Sequence, residues 1–199
     1  MKPILFNTDM VRAILGGRKT VTRRVIKNKD IINAWDCESD GTPIAFIDQD
    51  TGDSHPPAFP CQYHPGDILY VRETWTMLVG SYLYRADQKP GMKHPGKWRP
   101  SIHMPKEAAR LFLRVTDVRV ERLQAITPEQ IDAEGCKEWA YSAKTGELLP
   151  SGPSFFQIKW DRTIKPSDLP LYGWDANPWV WVIGFERISR EAALKGGEG

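Results

Sequence analysis

The chain has 199 residues, enough for one well-buried domain and few for two. Hydrophobic residues make up 41% and charged residues 26%, which is typical of a globular protein and argues against a disordered chain. The formal net charge is only +2, so a surface that is basic throughout is excluded and any binding of nucleic acid needs a local basic patch.

Cysteine usage and hydropathy give a prediction of cellular location. The cysteine count is odd, at 3, and no apolar secretory segment opens the sequence, which predicts reduced thiols in a cytoplasmic protein. No run approaches the roughly 18 apolar residues of a membrane span, so no membrane partner is expected. The 16 Pro and 16 Gly residues favour a β-rich fold with long loops over a helical bundle.

The first elements are a strand, a helix and a second strand. Residues 2–6 read as a short edge strand, and Thr8 or Asp9 can cap a helix that Gly16 and Gly17 end. The apolar residues of this helix follow helical spacing: Met10, Val11, Ile14 and Leu15. A strand through Val21, Val25 and Ile26 is predicted to follow.

The segment 16–24, Gly-Gly-Arg-Lys-Thr-Val-Thr-Arg-Arg, places its cations and hydroxyls directly behind a helix end. A lysine near a carboxylate or in a dry pocket can act as a base, and a threonine hydroxyl can then attack a carbonyl. A solvated basic turn is the alternative interpretation. In a regular strand Lys19 and Thr22 would point to opposite faces, so their cooperation requires irregular backbone.

Residues 27–66 are rich in Asp, Gly, Pro and Asn, which predicts an insertion with a strand at Ile44 to Ile47. Cysteine and histidine side chains in this region could bind zinc, although the only compact ligand pair is Cys61-x-x-His64. The other candidates are His55 and, upstream, Cys37.

The middle of the chain alternates strands with charged loops. A turn at 65–67 leads into a strand over Ile68 to Trp75, and another strand spans Tyr82 to Asp87. Glu73 lies in the polar segment near the end of the first of these strands. Its carboxylate could form an ion pair with a cation or take part in catalysis. The prolines within residues 98–105 disfavour both a helix and a central strand, which predicts an ordered loop. An aromatic ring of this loop could stack on a nucleobase or pack against a core.

The last third predicts a strand, a capped helix and a second strand. Apolar residues alternate in two phases over Leu111 to Leu123, which fits a long bent strand or a tight hairpin. Thr127 and Gln130 are predicted to form a capping box for a helix that ends at Gly135. Glu134 then lies in the last turn of this helix, where the helix dipole is unfavourable for a negative charge. A short helix over Phe155 to Trp160 and a central strand over Trp179 to Phe185 follow.

The basic segment resembles the signature of the ASCH superfamily, which are small PUA-like β-barrels related to RNA-binding domains. The motif, a helix followed by G-x-K-x-x-x-x-R, corresponds to Gly17 through Arg24. Cys61 and the segments 72–75, 98–105 and 177–182 resemble the prophage-encoded branch of this superfamily. The resemblance implies an α+β, mostly β fold: a PUA-like barrel with a few short helices. One domain over 1–189 would carry long loop insertions near 27–66 and 137–175, before a mobile tail at 190–199.

The resemblance also implies an activity. Some small ASCH proteins are amidohydrolases that remove the acyl group of N4-acetylcytidine, using a lysine and a threonine of the signature and a glutamate of a later helix. The corresponding residues here are Lys19, Thr22 and Glu134, acting without a metal or another cofactor. This chain is longer than those enzymes, and its insertions distinguish it from them.

A modified nucleoside or single-stranded RNA is the expected partner. Arginines would hold a phosphate or a developing oxyanion, and tryptophans would stack on the base. The substrate-binding set is Arg18, Arg23, Arg24, Glu73, Trp75, Trp98 and Arg99. A non-catalytic RNA-binding module is the alternative, and a ribonuclease is a third hypothesis, with Glu73, Asp87 and His103 as its candidate residues.

Overall fold

The computed structural model describes residues 1–27, 61–89, 91–92, 96–136 and 153–196, and also the backbone of short strands at 36–37, 46–47 and 54–55. Its strands are β1 (Lys2–Leu5), β2 (Val21–Val25), β3 (Asp36–Cys37), β4 (Phe46–Ile47), β5 (Ser54–His55), β6 (Ile68–Arg72), β7 (Trp75–Leu78), β8 (Ser81–Tyr84), β9 (Phe112–Arg122) and β10 (Trp179–Ile188). Its α-helices are α1 (Thr8–Leu15), α2 (Pro128–Ala133), α3 (Pro153–Asp161), α4 (Leu169–Tyr172) and α5 (Arg190–Lys195).

A mixed sheet of 5 strands carries the fold, in the order β1-β6-β9-β10-β2. Strand β1 pairs in parallel with β6, whereas β6 with β9 and β10 with β2 are antiparallel pairs. The predicted α+β class is confirmed. The predicted barrel is not closed among the described residues, because β1 and β2 are the two edges of an open sheet. Strands β3, β4 and β5 form a small separate sheet, and β7 and β8 form a hairpin.

The chain folds into two compact units. The first unit comprises 1–20, 65–116 and 185–199, and the second comprises 21–64 and 117–184. Each unit has its own apolar cluster. The first is built from Ile68, Trp75, Met104, Ala108, Ala109, Phe112 and Ala193, and the second from Leu123, Ile126, Ile131, Cys136, Phe155, Phe156, Trp160, Val180 and Val182. The single-domain organisation stays a prediction.

Helix α1 belongs to the first unit and ends as the sequence predicts. Gly16 is its C-cap, and Gly17 adopts a φ of 69°, a left-handed conformation that favours glycine. The N-cap is Asn7, whose side chain accepts a hydrogen bond from the Met10 amide at 2.9 Å, and not the predicted Thr8 or Asp9. Lys19 follows the turn and precedes β2, so the backbone there is not part of a regular strand.

The long alternating segment at 111–123 forms a single strand, β9, and not a hairpin. Strand β10 is longer than predicted and lies inside the sheet, since β9 and β2 are its neighbours. Buried residues follow one another along its first part, Trp179 to Phe185, as in strands covered on both faces. Helix α3 covers the predicted helix at 155–160.

The residues predicted to form a mobile tail begin with helix α5. The Ser189 side chain caps it by accepting a hydrogen bond from the Ala192 amide, and Ala193 is fully buried. A good cap and one buried side chain therefore give this segment anchors that its polar composition does not reveal. Residues 197–199 lie outside the described part of the chain.

Candidate active site

Strand β2 supplies the core of the candidate site. Its residues pair with β10, which places Thr22 opposite Ile183, Arg23 opposite Val182 and Arg24 opposite Trp181. Thr22 and Arg23 are buried although both are polar, with exposures of 1% and 3%. Buried polar side chains need partners, and the partners define the site.

Arg23 connects strand β2 to helix α2. Its Nη1 donates to Glu134 Oε1 at 3.2 Å, and its Nη2 donates to Gln130 Oε1 at 2.7 Å and to Glu121 Oε2 at 3.1 Å. The Arg23 side chain has no exposed surface. A guanidinium that is removed from water in this way is stable only with such compensation, so this network fixes the side chain in one orientation.

Helix α2 presents both of its Arg23 partners from one face. Gln130 and Glu134 are four positions apart, the spacing that aligns side chains along a helix. The predicted capping box is confirmed, because Thr127 accepts from the Gln130 amide and Gln130 Oε1 accepts from the Thr127 amide. Glu134 is the C-cap residue, followed by Gly135 at a φ of 80°. The cation of Arg23 offsets the unfavourable interaction of this carboxylate with the helix dipole.

Thr22 has a cationic neighbour on its own strand. Arg24 Nη1 donates to Thr22 Oγ1 at 3.0 Å and to the Arg23 carbonyl at 3.1 Å. Residues two apart in a strand lie on the same face, which accounts for the contact. A guanidinium that donates to a hydroxyl oxygen stabilises negative charge on that oxygen.

Electrostatics link Arg24 to the rest of the second unit. Burial lowers the pKa of Arg24, while the charges of Glu134 and Tyr63 oppose that change. Burial raises the pKa of the Tyr63 hydroxyl, and the charge of Arg24 acts in the opposite direction. Thr22, Arg23, Arg24 and Glu134, all predicted from the sequence, therefore occur in one unit and are connected by hydrogen bonds or charge.

Lys19 belongs to the first unit and is buried, with 2% of its surface exposed. Its amide donates to the Ala13 carbonyl at 3.2 Å, which ties the residue to the end of α1. The ammonium nitrogen lies 5.8 Å from the centroid of the Phe6 ring. The predicted role of Lys19 as a base stays a prediction.

The remaining predicted binding residues also belong to the first unit. Arg18 and Trp98 are half-buried, and Arg99 is exposed. The main chains of Trp75 and Arg99 exchange hydrogen bonds of 3.2 and 2.7 Å, and the Arg99 guanidinium lies 5.1 Å from the Trp75 ring centroid. Trp75 is only 4% exposed, so Trp98 is the more exposed of these two tryptophans.

Glu73 is held by a cation that the sequence does not single out. Arg110 donates to both of its carboxylate oxygens, at 2.8 and 3.1 Å, and to Asp87 at 2.5 Å. The Arg110 guanidinium also covers the Tyr84 ring at 3.9 Å. Burial raises the pKa of Glu73, and the bonds to Arg110 oppose the shift only in part. This arrangement matches the ion-pair interpretation of Glu73. His103, the third ribonuclease candidate, is exposed.

Several partners in the second unit are not predicted by the sequence. Gln130 is predicted as a capping residue and not as a ligand of Arg23, while Glu121 and Tyr63 carry no predicted role. Glu121 also accepts from Arg119 Nε at 2.6 Å. The sequence offers one indication of its role: Glu121 lies on β9 near arginines at 119 and 122, and a carboxylate in such surroundings tends to form ion pairs.

Neither a metal cluster nor a membrane helix occurs in the described part of the chain. There, no cluster of His, Cys, Asp or Glu has the three members that a metal site needs. Cys61 is buried and His64 is exposed, whereas the side chains of Cys37 and His55 lie outside the described residues. None of the described helices has the length and apolar character that a membrane crossing requires.

Comparisons with known proteins found little. A scan against models of protein families gave no match, and a search of curated proteins gave no related sequence. Among solved structures, the chain is similar to protein EF3133 from Enterococcus faecalis V583, which carries the family designation DUF984. The match has a TM-score of 0.41 and 12% sequence identity, and it covers 95% of this chain and 82% of that chain. At this distance the ASCH resemblance and its implied activity stay predictions.

Proposed function

We propose that this chain is an ASCH-type protein that acts on RNA or modified nucleosides by hydrolysing the amide of N4-acylated cytidine. The observation that carries the proposal is the hydrogen bond from Arg24 to the buried hydroxyl of Thr22, in the unit where Arg23 holds Glu134. Buried, mutually polarised groups of this kind concentrate at active sites.

Thr22 is the proposed nucleophile, or the group that orients a water. Lys19 takes the proton of the attacking oxygen, and that oxygen adds to the amide carbonyl carbon. When Thr22 attacks, the carbon–nitrogen bond breaks and leaves the acyl group as an ester on Oγ1, while the proton that Lys19 took passes to the N4 amine of cytosine. Water then hydrolyses the ester, which releases a carboxylic acid and restores the Thr22 hydroxyl. The hydrogen bond from Arg24 to Oγ1 supports a role for Arg24 in stabilising negative charge on that oxygen when Thr22 attacks.

Glu134 is proposed to orient Lys19 or to carry the proton to the leaving amine. Its ion pair with the fully enclosed Arg23 guanidinium supports a fixed carboxylate, since a buried arginine has few alternative conformations. The assignment of Lys19 rests on the signature, in which it precedes Thr22 by three positions.

The test is incubation of the metal-stripped protein with N4-acetylcytidine, following cytidine by chromatography. Native protein should release cytidine, and Glu134→Gln should lower the rate by about a hundredfold or more. The matched control is Glu121→Gln, which alters the other carboxylate bonded to Arg23. Equal rates for native protein and Glu134→Gln would contradict the role of Glu134.

A second candidate function is recognition of single-stranded RNA without turnover. It is favoured by the exposed Arg99, which lies over Trp75, and by the half-buried Trp98 beside it, because aromatic and guanidinium groups together suit unpaired bases. A binding module would leave N4-acetylcytidine unchanged and would bind RNA with an affinity that falls steeply as salt rises.

A further inference from the structure

The excess positive charge of the chain lies in one segment of the sequence. Residues 85–110 contain seven of the 27 lysines and arginines but only two of the 25 aspartates and glutamates, Asp87 and Glu107. The other 20 cationic and 23 acidic residues leave the rest of the chain negative. The local basic patch that nucleic-acid binding needs in a chain of net charge +2 is therefore present in this segment.

Five cations of this segment have exposed side chains. In the described part of the chain, no carboxylate lies within ion-pair distance of any of them. We name these five the cationic surface: Arg85, Lys89, Lys97, Arg99 and Lys106. Arg110 differs from them, because Glu73 and Asp87 both bind its guanidinium. Exposed cations with no carboxylate beside them remain available to an anionic ligand.

The first residues of the β7 region hold three of these cations close together. The Arg85 amide donates to the Thr74 carbonyl at 3.0 Å, and the Thr76 hydroxyl donates to the Lys97 carbonyl at 3.1 Å. The residue between the two threonines exchanges main-chain hydrogen bonds with Arg99. Because residues in a strand are about 3.3 Å apart, a stretch of about 7 Å anchors the main chains of all three cations.

Arg99 offers a flat surface to an unpaired base. Its guanidinium lies 5.1 Å from the centroid of the buried Trp75 ring, while Arg99 itself is exposed. Unpaired bases of RNA stack on arginine guanidinium planes, whereas the faces of paired bases are covered inside a duplex. Two large apolar side chains of the same segment are also exposed, Met92 at 60% and Ile102 at 56%. These features favour a single strand over a duplex or an acidic peptide.

Helix α1 holds the start of this segment. Arg12 Nε donates to the Ala86 carbonyl at 2.9 Å, and Arg12 Nη2 donates to the Gln88 carbonyl at 3.0 Å. The end of the same helix holds Lys19, whose amide donates to the Ala13 carbonyl at 3.2 Å. One helix of the first unit therefore connects the cationic surface to the proposed base.

We propose that the cationic surface binds a single strand of RNA. Its lysines and Arg85 contact phosphates, and Arg99 contacts an unpaired base. The inference goes beyond the proposed hydrolysis, because it assigns a polyanionic ligand that an isolated nucleoside does not provide. Only the choice of RNA over DNA rests on the proposed function, whose substrate is a ribonucleoside.

The experiment measures binding apart from turnover. The full chain is titrated into a fluorescein-labelled oligouridine of about 12 nucleotides, and Kd is read from anisotropy at several salt concentrations. Uridine has no N4 group, so hydrolysis cannot alter this probe. The same titration with an RNA duplex and with labelled polyglutamate tests the other two classes of polyanion. Native protein should bind oligouridine most tightly, with an affinity that falls steeply as salt rises.

Two fourfold variants locate the binding charges. The test variant changes four members of the cationic surface to glutamine: Arg85, Lys89, Lys97 and Lys106. The matched control changes four other exposed cations, which have no ion pair in the described contacts: Lys27, Arg162, Lys165 and Arg190. Both variants lose the same charge, and at about 0.15 M salt charges more than about 8 Å from a phosphate are screened. A difference in Kd between them therefore reports where the RNA lies.

The test variant should raise Kd at least about tenfold, and the control should change it by less than about threefold. In the test variant the slope of log affinity against log salt should also become shallower by about 3, since each phosphate contact on a single strand contributes about 0.7. Arg99→Lys keeps the charge and loses the flat guanidinium, so it should raise Kd about fivefold or more without changing the slope.

Equal losses in the two fourfold variants would overturn the inference. Binding of the RNA duplex or polyglutamate as tight as that of oligouridine would do so as well, as would an affinity of native protein that does not depend on salt. These last results need no variant. Cytidine release from N4-acetylcytidine, measured in the same preparations, separates the two claims. Oligouridine binding without release overturns the hydrolysis alone, and release without oligouridine binding overturns this inference alone.

Discussion

Arg23 Nη1 lies 3.2 Å from Glu134 Oε1, although the two residues are 111 positions apart in the sequence. The contact joins the first described strand of the second unit to the end of helix α2. Both side chains are almost completely enclosed, with exposures of 0% and 6%. Removing one member of such a pair leaves an uncompensated buried charge, which is far more costly than the loss of an exposed pair.

Replacement of Arg23 by Leu should therefore lower the free energy of unfolding by about 3–5 kcal/mol. The measurement is chemical denaturation followed by tryptophan fluorescence. The matched control is Arg114→Leu, because Arg114 pairs with Glu186 at 3.4 Å in an exposed position. That variant should change the free energy by less than about 1 kcal/mol. Equal losses in both variants would show that the Arg23 network does not stabilise the fold as described.

Local signals explain which elements the sequence predicts. The end of α1 at Gly17 and the start of α2 at Thr127 were both predicted, because a glycine stop and a capping box act within about four residues. The choice of Asn7 over Thr8 as N-cap was not predicted, since both side chains can cap and the surrounding chain decides. Helix α5 was missed for a similar reason, as the burial of Ala193 depends on distant residues.

The candidate site was predicted only in part. The family resemblance predicted Thr22 and Glu134 as catalytic residues and Arg23 as a binding residue, and all three lie in the second unit, where Arg23 contacts Glu134. Their partners could not be predicted, because strand alternation tells which face Glu121 occupies but not which arginine it meets. The same limit applies to Arg110, whose pairing with Glu73 depends on contacts between distant segments.

Glu73 makes stability depend on pH. Burial raises its pKa above the ordinary value of 4.5 even though Arg110 opposes the shift. Between the ordinary and the raised pKa the folded state holds a proton that the unfolded state has lost, so the free energy of unfolding falls as pH rises through this window. The stabilising contribution is complete below pH 4.5 and is lost above the raised pKa.

Glu73→Gln removes this titration and should therefore flatten the fall above pH 4.5. Denaturation curves of native protein and variant, recorded at intervals of pH, give the difference. Glu186→Gln is the control, because that carboxylate is exposed and pairs only with Arg114 in the described contacts. An unchanged pH dependence in Glu73→Gln would refute the assignment.

The turn of the β7–β8 hairpin contains a strained residue. Val79 has a φ of 47°, and Gly80 follows at 78°. Asparagine tolerates this left-handed conformation far better than a β-branched residue does. Since Val79 is 95% exposed, its replacement loses almost no packing.

Val79→Asn should accordingly raise the free energy of unfolding by about 1 kcal/mol, seen as an increase in Tm of about 2–4 °C. Met77→Asn serves as the control, because Met77 is half exposed but lies in the extended backbone of β7. A decrease in Tm for Val79→Asn would indicate that the turn does not adopt the left-handed conformation in solution.

The most direct test of the proposed activity uses the hydroxyl of Thr22. Cytidine release from N4-acetylcytidine is measured for native protein, Thr22→Ser and Thr22→Val. Serine keeps the hydroxyl that accepts from Arg24, and valine replaces it with a methyl group of similar size. The account predicts release by native protein and Thr22→Ser, with a loss of about a hundredfold or more in Thr22→Val. Undiminished release by Thr22→Val, or no release by native protein, would contradict it.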